Sequence, residues 1–270
     1  MASCMQTFNY AGGKAKLAKQ IIQYFPKHKI YIEPFGGSGK ILFNKKSVDL
    51  EIYNDLDDGL SAIFICLLDQ RMKSELLKKL EQTIPSRKLF AYLKDLKTND
   101  LILKAYRKLY LLYHSYAAQC GHFKSARVKA ARPHRIPIKQ IMTLSKELIR
   151  RKVVIESLDY QRLLKIYAVD NSLIYCDPPY FLVEDIYECD FQISDHIDLR
   201  NFLFDLDRNF DCCIFLSYNN HEIIRYLYEG FFFLQLETQY TLGINRINTR
   251  SKKTSELLIS NKPFKKYDFY

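Results

Sequence analysis

The stretch between Lys29 and Asp55 constrains this chain more than any other. A short β-rich run, Lys29 to Ile32, meets the turn Phe35-Gly36-Gly37-Ser38-Gly39, which is expected to lead into a helix. A second short strand, LEIYND, then ends on an acid, Asp55. Strand, glycine turn, helix, strand, acid is the order of a nucleotide-binding βαβ half. Its glycines let the backbone approach a ligand, and a terminal carboxylate can hold both hydroxyls of a ribose. GGSG is not GxGxxG, so no pyrophosphate cradle is implied, and a tight structural turn is the alternative reading. An earlier pair, Gly12 and Gly13 in YAGGK, precedes a helical pattern with Leu17, Ile21 and Tyr24/Phe25 on one face.

The remainder of the chain extends the α/β pattern. Residues 56 to 118 read as helical, and Tyr106, Leu109, Tyr110, Tyr113 and Tyr116/Ala117 form a stripe that suits a packed face. Cys120 to Pro137 reads as a basic loop or hairpin, after which Pro137 opens a helix through Ile138, Ile141, Leu144 and Leu148. Further strands are expected at Val153–Ile155, Leu173–Cys176, Cys213–Ser217, Phe231–Leu236 and Leu257–Ile259, with helices after the first three. The expectation is one seven-stranded, Rossmann-like α/β sheet domain built from residues 1–60 and 150–270. Residues 61–149 would form a helical, basic insertion.

Composition narrows the function classes. With 48% hydrophobic residues the chain can bury a core, yet no apolar run approaches the roughly 18 residues that a membrane helix needs. The opening residues, MASCMQTFNY, lack the basic start and long apolar core of a signal peptide. Seven scattered cysteines with no CxxC pair point to a reducing cytoplasm rather than a disulfide framework. The cluster His114, Cys120, His122 and His134 matches no zinc template, so no metal site is expected.

Charge is concentrated rather than spread. Of 41 Lys and Arg against 30 Asp and Glu, ten cations lie between Asp100 and Glu147, where there is no acid at all. They are Lys104, Arg107, Lys108, Lys124, Arg127, Lys129, Arg132, Arg135, Lys139 and Lys146, and without them the chain is nearly neutral. A solvated helix face mixes signs, so a single-sign window points to a polyanion, and a phosphate backbone fits best.

The sharpest motif is Asp177-Pro178-Pro179-Tyr180, directly after the apolar strand Leu173 to Cys176. That position lies outside the carboxyl end of a strand, where open α/β sheets bind ligands. The prolines stiffen the turn and preset the Pro178 carbonyl, while Asp177 places a carboxylate beside it. Together they offer two acceptors to an –NH₂ group, and Tyr180 offers a flat face to a base. An exocyclic amine is a poor nucleophile because its lone pair is delocalised into the ring. Accepting both N–H bonds favours localising that pair and stabilises positive charge as a bond to a methyl group forms.

With these motifs the chain resembles the Dam-like DNA adenine-N6 methyltransferases. In that family, S-adenosylmethionine motifs precede DPPY and a recognition insertion lies between them. YAGGK is similar to the amino-terminal donor-binding motif, with Tyr10 where Trp is usual, and Phe35 to Gly39 fits the FxGxG turn. Glu156 to Tyr160 resembles the motif whose acid contacts the donor's adenine ring. Ser217-Tyr218-Asn219 and Thr254 to Asn261 resemble the late motifs that finish the sheet. The resemblance implies cofactor contacts from Tyr10, Lys14, Phe35, Gly37, Gly39, Asp55, Asp159 and Asp177. It also implies that Asp177, Pro178, Pro179 and Tyr180 hold a flipped target adenine. Asp159 could equally cap the helix that follows it, and Lys14 could be a solvated first-turn residue.

One stretch departs from the family. Where relatives carry a glycine- and asparagine-bearing hairpin that reads bases, this chain has CGHFKSARVKAARPHRIPI. Phosphate contacts position but do not specify, so the sequence read stays open. Lys124, Arg127, Lys129, Arg132 and Arg135, with Arg250 and Lys252 from a second basic loop, Arg246 to Lys253, are the expected contacts to double-stranded DNA. The setting implied is the cytoplasm of a bacterial or phage-infected cell, and a companion restriction endonuclease is compatible with it. Methylation of cytosine N4, of adenine in RNA or of a glutamine side chain uses the same physics. A silent DNA-binding regulator is the rival outside enzymology.

Overall fold

A computed structural model of the chain describes residues 5–10, 14, 17–115, 118–124, 136–181, 191–239 and 253–267. Among these residues there are seven strands: β1 (Ile30–Glu33), β2 (Leu50–Asn54), β3 (Val154–Glu156), β4 (Ser172–Cys176), β5 (Cys213–Asn219), β6 (Phe232–Gln239) and β7 (Lys253–Ser260). They form one sheet in the order β3-β2-β1-β4-β5-β7-β6. The first five strands pair in parallel, and β7 runs antiparallel between β5 and β6. All seven strands expected from the sequence are present, and the last two are longer than their apolar cores suggest, at eight residues each.

The parallel strands are apolar on both faces because both faces are covered. Tyr31, Tyr53, Leu173, Tyr175 and Phe215 point into one core, with helices α1 (Ala18–Ile22), α2 (Asp58–Leu68), α3 (Gln70–Glu81), α4 (Arg87–Asp95), α5 (Leu101–His114) and α6 (Ile138–Arg151). Their neighbours Ile32, Ile52, Ile174, Ile214 and Leu216 point into the other, with α7 (Tyr160–Tyr167), α8 (Ile193–Asn209) and α9 (Glu222–Leu227). The helices between β2 and β3 therefore share a continuous core with the sheet. Leu109, Tyr110 and Tyr113 of the aromatic stripe are buried in it, while Tyr116 and Ala117 lie outside the described residues.

The helix expected after the glycine turn does not form. Residues 39–45 make isolated turns instead, with Phe43 N donating to the Gly39 carbonyl and Lys45 N to that of Ile41. The physical reason is competition for the backbone: the Glu33 carboxyl group takes the Leu42 N–H at 3.1 Å, and Arg151 binds the Leu42 and Lys45 carbonyls. Helix α1 is also shorter than its apolar pattern, at five residues.

Candidate active site

The order of the sheet creates the site. From β1 the chain crosses to β2 on one side, while β4 lies on the other, so the loops leaving β1 and β4 diverge at a topological switch point. A cleft of about 610 Å³ opens there, lined from the carboxyl ends of β1, β2, β3 and β4 by Phe35, Gly37, Asp55, Asp159 and Asp177 among others.

Its first wall is the glycine turn. Gly36 N donates to the Asn54 carbonyl at 2.8 Å, and the Tyr53 hydroxyl donates to the Gly37 carbonyl at 2.7 Å. Gly37 has φ +50°, and a Cβ on it would lie 2.8 Å from the Tyr10 ring, so Tyr10 closes over the turn. Gly39 points away from this wall and packs against Phe43. Asn54, fully buried, donates to the carbonyls of Pro34 and Leu158 and accepts from Leu158 N, which joins the loops after β1 and β3. Phe35, Leu158, Tyr160 and Phe191 are among the apolar residues of the lining, with Phe35 and Tyr160 ring centroids 5.7 Å apart.

Asp55 sits at the centre of that wall. Its Oδ2 accepts from Gly37 N at 2.8 Å and its Oδ1 from Asp57 N at 2.9 Å. A carboxylate offers about four lone-pair positions, so each oxygen keeps one for a ligand hydroxyl. Burial pushes its pKa up to about 6, against the two backbone N–H bonds that favour the charged form. Asp159 lies on the exposed rim and does cap a helix, its Oδ1 accepting from Arg162 N at 2.9 Å at the start of α7.

The second wall holds a buried charge cluster. Lys14 Nζ lies 2.6 Å from Asp177 Oδ1 and 3.1 Å from Glu256 Oε1, and it donates to the Tyr180 hydroxyl at 2.5 Å. The Tyr180 hydroxyl in turn donates to Glu256 Oε1 at 2.5 Å. Asp177 and Pro179 line the cleft, Pro178 is buried and Tyr180 is half-buried. Burial by itself would lower the Lys14 ammonium, yet Asp177 and Glu256 outweigh it and hold it well above the usual lysine range. Burial pushes Asp177 up to about 6, Lys14 pulling it down and Glu256 adding to the rise. Lys14 is thus a buried counter-ion rather than a solvated residue.

Three residues that the sequence did not assign to the cleft belong to the site. Glu33, 2% exposed, faces the cleft at the end of β1, and burial raises it to about 8. Glu256 is buried on β7, and Lys108 of α5 lines the cleft beside Asp57. A signal existed for the first two, since each is a lone acid within an apolar strand run, IYIEPF and SELLIS.

The basic window divides in two. Lys104 pairs with Asp58 at 2.7 Å, Arg107 binds the Leu93 and Lys94 carbonyls, and Lys108 pairs with Asp57 at 2.5 Å. Those three cations are engaged by partners within the folded chain, which corrects the expectation that the whole window faces a polyanion. Helix α5 packs against α2, so its cations meet the acids of the β2–α2 turn first. Lys124, Lys139 and Lys146 are exposed. Arg127, Lys129, Arg132, Arg135, Arg250 and Lys252 lie outside the described residues, as does most of the loop expected from Cys120 to Pro137.

No helix among the described residues is long and apolar enough to cross a membrane. No curated protein matches the chain. The family model for D12 class N6 adenine-specific DNA methyltransferases matches residues 10–242, from Tyr10 at the glycine turn through the DPPY motif, and ends short of the second basic loop. On that match, which takes in most of the sequence, this chain belongs to the D12 class N6 adenine-specific DNA methyltransferase family.

Proposed function

We propose that the cleft holds S-adenosylmethionine beside a target adenine flipped out of duplex DNA, and that methylation of N6 takes place at Asp177. The observation that carries this reading is the meeting of the Gly37–Asp55 wall and the Asp177 wall in a single cleft at the switch point. The residues suit the cofactor: Asp55 keeps two acceptor positions for a vicinal diol. The Gly36–Gly37 backbone leaves no room for side chains, and Phe35, Leu158 and Tyr160 offer an apolar slot for a flat ring. When bound, S-adenosylmethionine supplies an electrophilic methyl carbon.

The chain's own residues then act on the adenine. Asp177, held ionised at neutral pH by Lys14, accepts an N6–H bond, and the Pro178 carbonyl supplies the second acceptor. Positive charge that develops on N6 is stabilised by these fixed acceptors. The proton that N6 releases has a base at hand in Asp177, whose pKa of about 6 lies close to neutrality. Tyr180, tied through its hydroxyl to Lys14 and Glu256, holds the loop and offers its ring to the base. Flipping costs a few kcal/mol, and phosphate contacts from the basic insertion, residues 61–149, offset it. This assigns catalysis to residues 1–60 and 150–270 and target binding to the insertion, through Lys124, Arg127, Lys129, Arg132 and Arg135, with Arg250 and Lys252 beside the site.

The test is incubation with tritiated S-adenosylmethionine and unmethylated genomic DNA, followed by digestion to nucleosides, for the native chain and Asp177→Ala. Label in N6-methyladenosine from the native chain alone is the expected result. Label in N4-methylcytosine, or equal label from Asp177→Ala, would overturn the assignment.

A further inference from the structure

Helix α5 opens the acid-free window, and one of its cations reaches into the cleft. Lys108 is 5% exposed, lines the cleft, and places Nζ 2.5 Å from Asp57 Oδ2. Asp57 has two further ties. Its Oδ1 caps α2 by accepting from Gly59 N at 2.9 Å and Leu60 N at 3.3 Å, and its own N–H donates to Asp55 Oδ1 at 2.9 Å. The helices meet closely at this point: a Cβ on Gly59 would lie 3.1 Å from Lys108 Cβ and 3.0 Å from Asp57 Oδ1. One turn earlier, Lys104 pairs with Asp58, whose side chain is 65% exposed, so of these two lysines it is Lys108 that reaches the turn that carries Asp55.

The charges explain what this contact does. Asp55 and Asp57 are two carboxylates on one tight turn, facing a partly desolvated cleft. Like charges so placed repel and favour protonation of one of them. An ammonium on Asp57 removes that repulsion and leaves the Asp57 N–H on Asp55. The lone pairs of Asp55 that are not used by backbone N–H groups then stay available to a ligand.

We propose that Lys108 is a positioning residue for cofactor binding, one that locks the Asp55–Asp57 turn from helix α5 and so ties the basic insertion to the donor site. This rests on the reading of the cleft as the S-adenosylmethionine site. It adds a residue that acts through Asp57 and comes from the insertion rather than the sheet.

The test uses the full chain and S-adenosylhomocysteine, with equilibrium binding measured by calorimetry and fold integrity by thermal unfolding. Lys108→Met weakens binding about tenfold, the equivalent of one charge-assisted hydrogen bond, and raises KM for S-adenosylmethionine with kcat held. Asp57→Asn keeps the α2 cap through its amide oxygen and removes the partner of Lys108, whose ammonium then turns to Asp55 and competes with the ligand. It shows a similar loss, and it tests the proposal should Lys108→Met not fold. Lys104→Met binds like the native chain. Native-like S-adenosylhomocysteine binding by folded Lys108→Met, or by Asp57→Asn, overturns the positioning role. Failure of the native chain itself to bind S-adenosylhomocysteine overturns the cofactor reading instead, so the two failures are distinct.

Discussion

Glu33→Gln should make this protein more stable at neutral pH, by an amount that depends on pH in a defined way. Glu33 is 2% exposed, and burial, with Asp177 adding to it, raises its pKa from 4.5 to about 8. Between those values the folded chain keeps a proton that the unfolded chain has released. Stability from this group is therefore complete below pH 4.5 and is lost as pH rises towards 8. Each pH unit in that window is worth about 1.4 kcal/mol, so the loss at pH 7 is roughly 3 kcal/mol. Glutamine does not titrate, and it fits: Tyr31 Oη at 2.9 Å and Leu42 N at 3.1 Å both donate to the single oxygen Oε2, whose place the amide oxygen can take. The amide nitrogen then occupies the other position. Urea unfolding followed by circular dichroism, at intervals from about pH 5 to pH 8, measures the difference between the two chains. That difference should grow steadily with pH, because groups that do not interact with Glu33 cancel in it. A difference that stays flat across the range would show Glu33 ionised in the folded protein and refute the argument.

Three other outcomes follow from the same geometry. Tyr180→Phe removes the hydroxyl that joins Lys14 to Glu256, and single-turnover methyl transfer should fall about tenfold to a hundredfold while S-adenosylhomocysteine binding holds. An equal loss of cofactor binding would place Tyr180 in the other wall. Gly36→Ala puts a Cβ 2.2 Å from the buried Tyr53 ring and 2.9 Å from the Asn54 carbonyl, so the denaturation midpoint should drop by the equivalent of about 1–3 kcal/mol, and an unchanged midpoint contradicts the packing. Duplex binding through about six phosphate contacts should follow salt with a log–log slope of about −5. Lys104→Ala should leave that slope unchanged, because Lys104 is already paired with Asp58.

Much of the site was legible in the sequence because its parts are local. The turn Phe35 to Gly39, the acid after LEIYN, and DPPY after an apolar strand each carry their chemistry within a few residues. Asp159 was legible too, as a helix cap, since the cap bond spans three residues. Glu256 and Lys108 were not, because each gains its role from a partner far along the chain: Glu256 from Lys14 and Tyr180, Lys108 from Asp57. The missing helix after the glycine turn has the same origin. Its backbone groups are claimed by Glu33 and by Arg151, a residue more than a hundred positions away.

By itself the sequence determined the seven strands, the α/β sheet and the family to which the chain belongs, since short continuous apolar runs, glycine turns and short motifs are set by neighbours along the chain. Only the tertiary structure decided which charges belong to the fold and which face outwards. It made Lys14, for which the sequence left a donor contact and a solvated first-turn residue both open, the buried counter-ion of Asp177, and it withdrew Lys104, Arg107 and Lys108 from the basic surface. The reason is that a charge is defined by what lies within a few ångströms of it and by whether water does, and the folded chain, not the order of residues, fixes both.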